Sequence, residues 1–101
     1  MNVNNITQLI NDEGRACPNQ FVIKTDDGQT IFQSYETKIA IIKNGKVQLN
    51  RLDWAYSRTT LKHLYIFLRK WGWEVYSKKD VDKLLAKKNI YNFQLTTLFN
   101  F

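Results

Sequence analysis

At 101 residues the chain has room for one domain, spanning 1–101, and not for two. Its 44% hydrophobic and 14% aromatic content suffices for a packed core. No run approaches the ~20 apolar residues of a membrane span, and residues 1–5 lack the basic-then-apolar order of a secretion signal. Charge is unevenly spread. Residues 1–37 hold two basic side chains against five acidic ones, and residues 38–101 hold thirteen against four, within a net charge of +6. The distal excess suits an anionic partner (RNA, DNA or an acidic protein surface) and equally suits plain solubility.

In chain order, Ile6, Leu9 and Ile10 stand at helical spacing and predict a short N-terminal helix ending near Gly14. Cys17-Pro18-Asn19 breaks the chain. Phe21-Val22-Ile23 and Thr30-Ile31-Phe32 flank Asp26-Asp27-Gly28, and Lys38–Ile42 and Lys46–Leu49 flank Asn44-Gly45. Each is a hairpin signal, because Asp-Gly and Asn-Gly tolerate the positive φ of tight turns. Two sequential hairpins predict an antiparallel meander of four strands.

Past Trp54 the apolar period lengthens to about 3.6 residues. Ser57 caps a predicted helix over about 58–70, carrying Leu61, Leu64, Phe67 and Leu68. Ser77 and Asp80 form a variant capping box for a second helix over about 78–88, with Val81, Leu84 and Leu85 on one face. Tyr91, Phe93, Leu95, Phe99 and Phe101 share one parity, which predicts a half-buried terminal strand. The expected fold class is α+β: an antiparallel sheet of two sequential hairpins plus a C-terminal strand, with a short N-terminal helix and two C-terminal-half helices on one face.

The residues needed for catalysis are sparse. His63 is the only histidine and Cys17 the only cysteine, too few for the usual zinc ligand sets. The four glycines are scattered as turns and helix ends, so none forms a phosphate-cradling loop. No enzyme activity, cofactor, metal, small-molecule substrate or membrane is expected. Binding signals are stronger. Arg58, Lys62, Tyr65 and Arg69 share one stripe of the first predicted helix, and Lys79, Lys83 and Lys87 recur every four residues on the second. These seven are the candidate partner-binding residues. A solvated face explains the lysine stripe as well as phosphate contact does, and Tyr65 offers a surface for base stacking. Trp54, Tyr56, Trp71 and Trp73 are either core or interface anchors.

The segments Phe32–Ala40, Gly45–Leu49 and Trp54–Thr60 carry a Ser-Tyr-x-Thr-x-Ile-Ala strand, a hairpin and a Trp-x-Tyr-Ser-x-Thr-Thr helix start. In these, residues 30–68 resemble a family of small proteins encoded by phages and mobile elements of Gram-positive bacteria. The whole chain is similar to the type II-A anti-CRISPR class. The resemblance implies a non-enzymatic, stoichiometric inhibitor of Cas9, acting in the cytoplasm of the bacterial host and carrying no known site residues to transfer. A DNA mimic would be acidic, so the positive charge points instead to contact with the guide RNA or an acidic surface, disturbing assembly of Cas9 with its guide. The alternative is a sequence-tolerant RNA- or DNA-binding domain of the mobile element, and a third reading is a part of a larger assembly.

Overall fold

The structure is a computed structural model that describes residues 3–87 and 93–96. A single six-stranded sheet runs in chain order: β1 (Val3–Ile10), β2 (Ala16–Thr25), β3 (Thr30–Ser34), β4 (Thr37–Lys43), β5 (Lys46–Asn50) and β6 (Phe93–Thr96). Between β5 and β6 lie the helices α1 (Arg58–Lys70) and α2 (Lys78–Ala86). The first five strands form an antiparallel meander, and β6 joins β5 in parallel, Val47 opposite Phe93.

This architecture corrects the expected fold class in two respects. The predicted N-terminal helix is the strand β1, and the sheet is mixed rather than antiparallel. The first error has a physical cause. Ile6 pairs with Ile23, Leu9 is buried, and the register shifts between Gln8 and Ile10. In a strand, residues 6 and 9 point to opposite faces. The bulge breaks the alternation that identifies strands, leaving apolar residues at 6, 9 and 10 that imitate a helical stripe. Gly14, expected to stop a helix, has φ +82 and closes the β1–β2 turn, where Asn11 Oδ1 accepts from the Glu13 and Arg15 amides. The second error arises because parallel strands need a long crossover, and here α1 and α2 supply it. Cys17-Pro18-Asn19 sits inside β2, at the register jump that separates the Gln8–Phe21 and Ile10–Ala16 pairs. Of the expected second helix, position 88 lies outside the described residues, as do Tyr91, Phe99 and Phe101 of the terminal strand.

Turn chemistry places the hairpins. Gly28 (φ +85) lies between β2 and β3, and Asn44 (φ +53) with Gly45 (φ +75) between β4 and β5. Thr25 Oγ1 donates to Asp27 across the first of these turns, Gln29 Nε2 donates to Asp27 at 3.1 Å and Lys43 Nζ lies 3.4 Å away. The Ser57 and Ser77 side chains accept from the Thr60 and Asp80 amides at the starts of the two helices.

The sheet's two faces differ. Phe32, Ala40, Leu49, Val47 and Phe93 face the helices and join Leu64, Phe67, Leu68, Val75 and Val81 in the main core. Phe32 and Phe67 stack with ring centroids 5.5 Å apart, Trp71 lies 4.8 Å from Phe67, and Trp73 meets Phe93 edge-on at 4.7 Å. Ile23, Ile31 and Ile41 form a separate cluster on the helix-free face.

Phe67→Ala empties the centre of the core. A loss of about 3–5 kcal/mol is expected in urea unfolding, and a loss below 1 kcal/mol would contradict this packing. The bonds around Asp27, the Thr25 hydroxyl first among them, hold its carboxyl down at about 2. Its ordinary value is about 4. Its stabilising effect is therefore complete above pH ~4 and disappears as pH falls towards 2. Asp27→Asn should flatten the decline in melting temperature over that window, and an unchanged acid limb would count against it.

Candidate binding surfaces

The seven side chains expected to meet a partner divide into two groups. Arg58, Lys62, Lys79, Lys83 and Lys87 are exposed. Arg69 and Tyr65 are half-buried and have internal work. Arg69 Nη1 donates to the Val75 carbonyl at 2.8 Å, Nη2 pairs with Asp12 at 2.7 Å, and the guanidinium lies 4.7 Å from the Tyr76 ring. It ties the end of α1 to the segment entering α2 and to the β1–β2 turn. Tyr65 packs against the core. Burial, with the nearby Asp80 and Asp82 carboxylates, pushes its hydroxyl pKa up. The α1 stripe thus contributes Arg58 and Lys62 to the surface rather than four residues.

On α2, carboxylates accompany the lysines. Lys78 Nζ pairs with Asp82 at 3.1 Å and also lies 5.2 Å from the Trp54 ring. Asp80 accepts from the Tyr76 amide at 2.8 Å, a bond that lowers its pKa, with Lys83 adding to the effect. Lys79, Lys83 and Lys87 therefore belong to a mixed surface. The tryptophans are largely structural: Trp54 is buried, and Trp71 and Trp73 are half-buried against the core. Lys24 covers Trp71 at 5.9 Å. Among the described residues, the exposed aromatics are Tyr35, Tyr56 and Tyr76.

A second surface went unrecognised in the sequence. On the helix-free face, Ile6, Ile23, Ile31 and Ile41 stand side by side across β1 to β4. A groove of about 490 Å³ runs beside them, with Val3 and Phe21 in its walls. Val3 and Ile6 are more than half exposed. The row ends in Gln48 and Gln94 on β5 and β6. An antiparallel sheet with one face in water alternates apolar with polar residues. The unbroken apolar runs Phe21–Ile23 and Ile39–Ile42 carried the signal that both faces are apolar, but β1 had to be read as a strand before its contribution to the groove emerged.

Cys17 is buried and its thiol pKa is raised by that burial, against the smaller opposing influence of Lys62 and Lys70. An activated thiol shows the reverse. His63 Nδ1 donates to the Thr59 carbonyl at 2.8 Å, one turn back on α1. Among the described residues, no group of three histidine, cysteine, aspartate or glutamate side chains is arranged to hold a metal ion, and no helix is long and apolar enough to cross a membrane.

Comparison with curated proteins gives no match. Comparison with solved structures gives none either. A family model does match, over residues 4–83, which takes in the five-stranded meander, α1 and most of α2 and leaves out β6. The chain belongs to that family, a family of unknown function designated DUF8033.

Proposed function

We propose that the protein is a non-enzymatic inhibitor acting by stoichiometric binding, with Cas9 and its guide RNA as partners and their assembly as the step disturbed. The supporting observation is five of the exposed cations of the helical segment: Arg58 and Lys62 on α1, Lys79 and Lys83 on α2, and Lys87 at its C-terminal cap. Such groups release counterions when they meet phosphates and steer association with an anionic assembly. The apolar groove on the opposite face of the sheet adds an anchor of the kind that protein interfaces use. The choice of Cas9 rests on the resemblance of the whole chain to the type II-A anti-CRISPR class. The site of action is the bacterial cytoplasm, where a lone cysteine stays reduced.

The same five cations favour a second reading, a sequence-tolerant RNA- or DNA-binding domain. Salt separates a Cas9 surface gripped through the apolar groove from phosphate contact. Phosphate-dominated affinity falls by about one log unit per log unit of salt for each phosphate contacted, whereas an interface anchored by apolar side chains responds weakly.

In a guided DNA-cleavage assay, the protein should inhibit when added before guide loading and lose that effect when added after it. Arg58→Glu combined with Lys62→Glu should weaken inhibition at least tenfold with the melting temperature unchanged. Arg69→Ala should instead cost about 1–3 kcal/mol of stability, since it removes charge-assisted bonds to Val75 and Asp12. Equal inhibition at both times of addition would shift the action to target binding or cleavage. Its absence at both, across Cas9 enzymes of several Gram-positive hosts, would eliminate the inhibitor reading in favour of nucleic-acid binding.

A further inference from the structure

The motif residues around Tyr35 and Tyr56 enclose a surface at the start of α1, separate from the apolar groove. The β3–β4 turn and the segment leading into α1 flank a groove of about 660 Å³. Tyr35, Glu36, Asp53 and Tyr56 line it, together with the buried hydroxyl residues Ser34 and Thr60. Its two charged side chains are both carboxylates, in a chain whose net charge is +6. Asp53 is anchored by Asn50 Nδ2, 3.2 Å from its Oδ2. The rings are poorly covered: Tyr35 is 58% exposed and Tyr56 78%.

Two further observations bear on the occupant. Gln20 stands directly opposite Ser34 in the β2–β3 register and is 1% exposed. Its Oε1 is buried and meets no donor among the described residues. A buried acceptor without a donor is uncommon in a folded protein, and this one lies across from a residue of the groove wall. Tyr35 also has φ +55, a conformation cheap for glycine or asparagine and costly for a residue with a bulky side chain. Its amide donates to the Asn19 carbonyl at 2.7 Å and its own carbonyl accepts from Gln33 Nε2 at 2.7 Å, so the turn is firmly held. The exposed ring recovers little of that cost through burial.

We propose that this groove binds a lysine or arginine side chain displayed by a partner protein. Tyrosine faces attract cations within about 6 Å, and carboxylates make the stronger, charge-assisted bonds to ammonium and guanidinium groups. Serine and threonine hydroxyls add acceptors. Phosphate is disfavoured, because Glu36 and Asp53 repel it. The surface therefore selects a basic protein element, the opposite preference from the cations of α1 and α2, and it goes beyond the inhibitor reading without depending on it.

The test is a titration of the ¹⁵N-labelled full chain with acetyl-Gly-Arg-Gly-amide, its lysine counterpart, and a citrulline version that keeps shape without charge. The cationic peptides should shift the amide signals of Tyr35, Glu36, Thr37, Tyr56 and Thr60, and the citrulline peptide should not. Tyr35→Asn should raise the melting temperature, because asparagine accepts the positive φ, while weakening peptide binding several-fold. Glu36→Gln and Tyr56→Ala, both at exposed positions, should weaken it without altering the fold. Equal shifts with citrulline, shifts confined to other surfaces, no shifts at all, or full binding by Tyr35→Asn and Glu36→Gln would each overturn the proposal.

Discussion

The stacking of Phe67 on Phe32 is the contact on which the rest depends. β3 lies inside the sheet, with strands on both sides, and Phe32 is fully buried on it. Through this contact α1 is seated on one face of the meander. Trp71 then packs on Phe67, the α1–α2 connection follows, and Trp73 and Phe93 close over the far side. Arg69 draws the same helix end towards Asp12 on the β1–β2 turn. The end of α1 and the connection after it therefore reach both edges of the sheet, Arg69 towards β1 and Trp73 towards β6.

The division of labour on α1 follows from that seating. Leu64, Phe67 and Leu68 are buried, which turns Arg58 and Lys62 outward and brings Tyr65 to the flank beside α2. Arg69 occupies the next position of the stripe, but the helix ends there and its guanidinium finds the Val75 carbonyl instead of solvent. A stripe drawn from spacing alone treats these residues as equivalent. Tertiary packing separates them into surface cations and a structural tie.

Much of the fold was legible in the residues. Asp-Gly and Asn-Gly placed two hairpins because few dipeptides satisfy positive φ so cheaply, and Ser57 and Ser77 marked both helix starts because their hydroxyls serve otherwise unpaired amides. β1 was misread because a bulge scrambles its alternation, and the direction of β6 depends on where two helices return the chain, which no local pattern records. The surfaces were less legible still. The exposed cations could be picked out, but the groove at Tyr35 joins a turn near residue 35 to a helix start near residue 57, and only the fold brings those segments together. Within the motif that carries the resemblance, Ser57 caps α1 and Trp54 packs in the core, while Tyr35 and Tyr56 face outward.

The parallel edge also has a consequence for how the chain reaches this state. Within the meander every pairing joins neighbouring strands through a short turn, so the loop entropy lost at each step is small. The β5–β6 ladder pairs Val47 with Phe93, residues separated by both helices. Its contacts are the least local in the sheet, and their closure entropy is recovered only once α1 and α2 have docked. The meander is thus the local part of the sheet's topology and β6 its non-local part. Among the pairings of the sheet, this edge therefore carries the largest closure-entropy cost, and the two long sides of the domain are held on unequal terms.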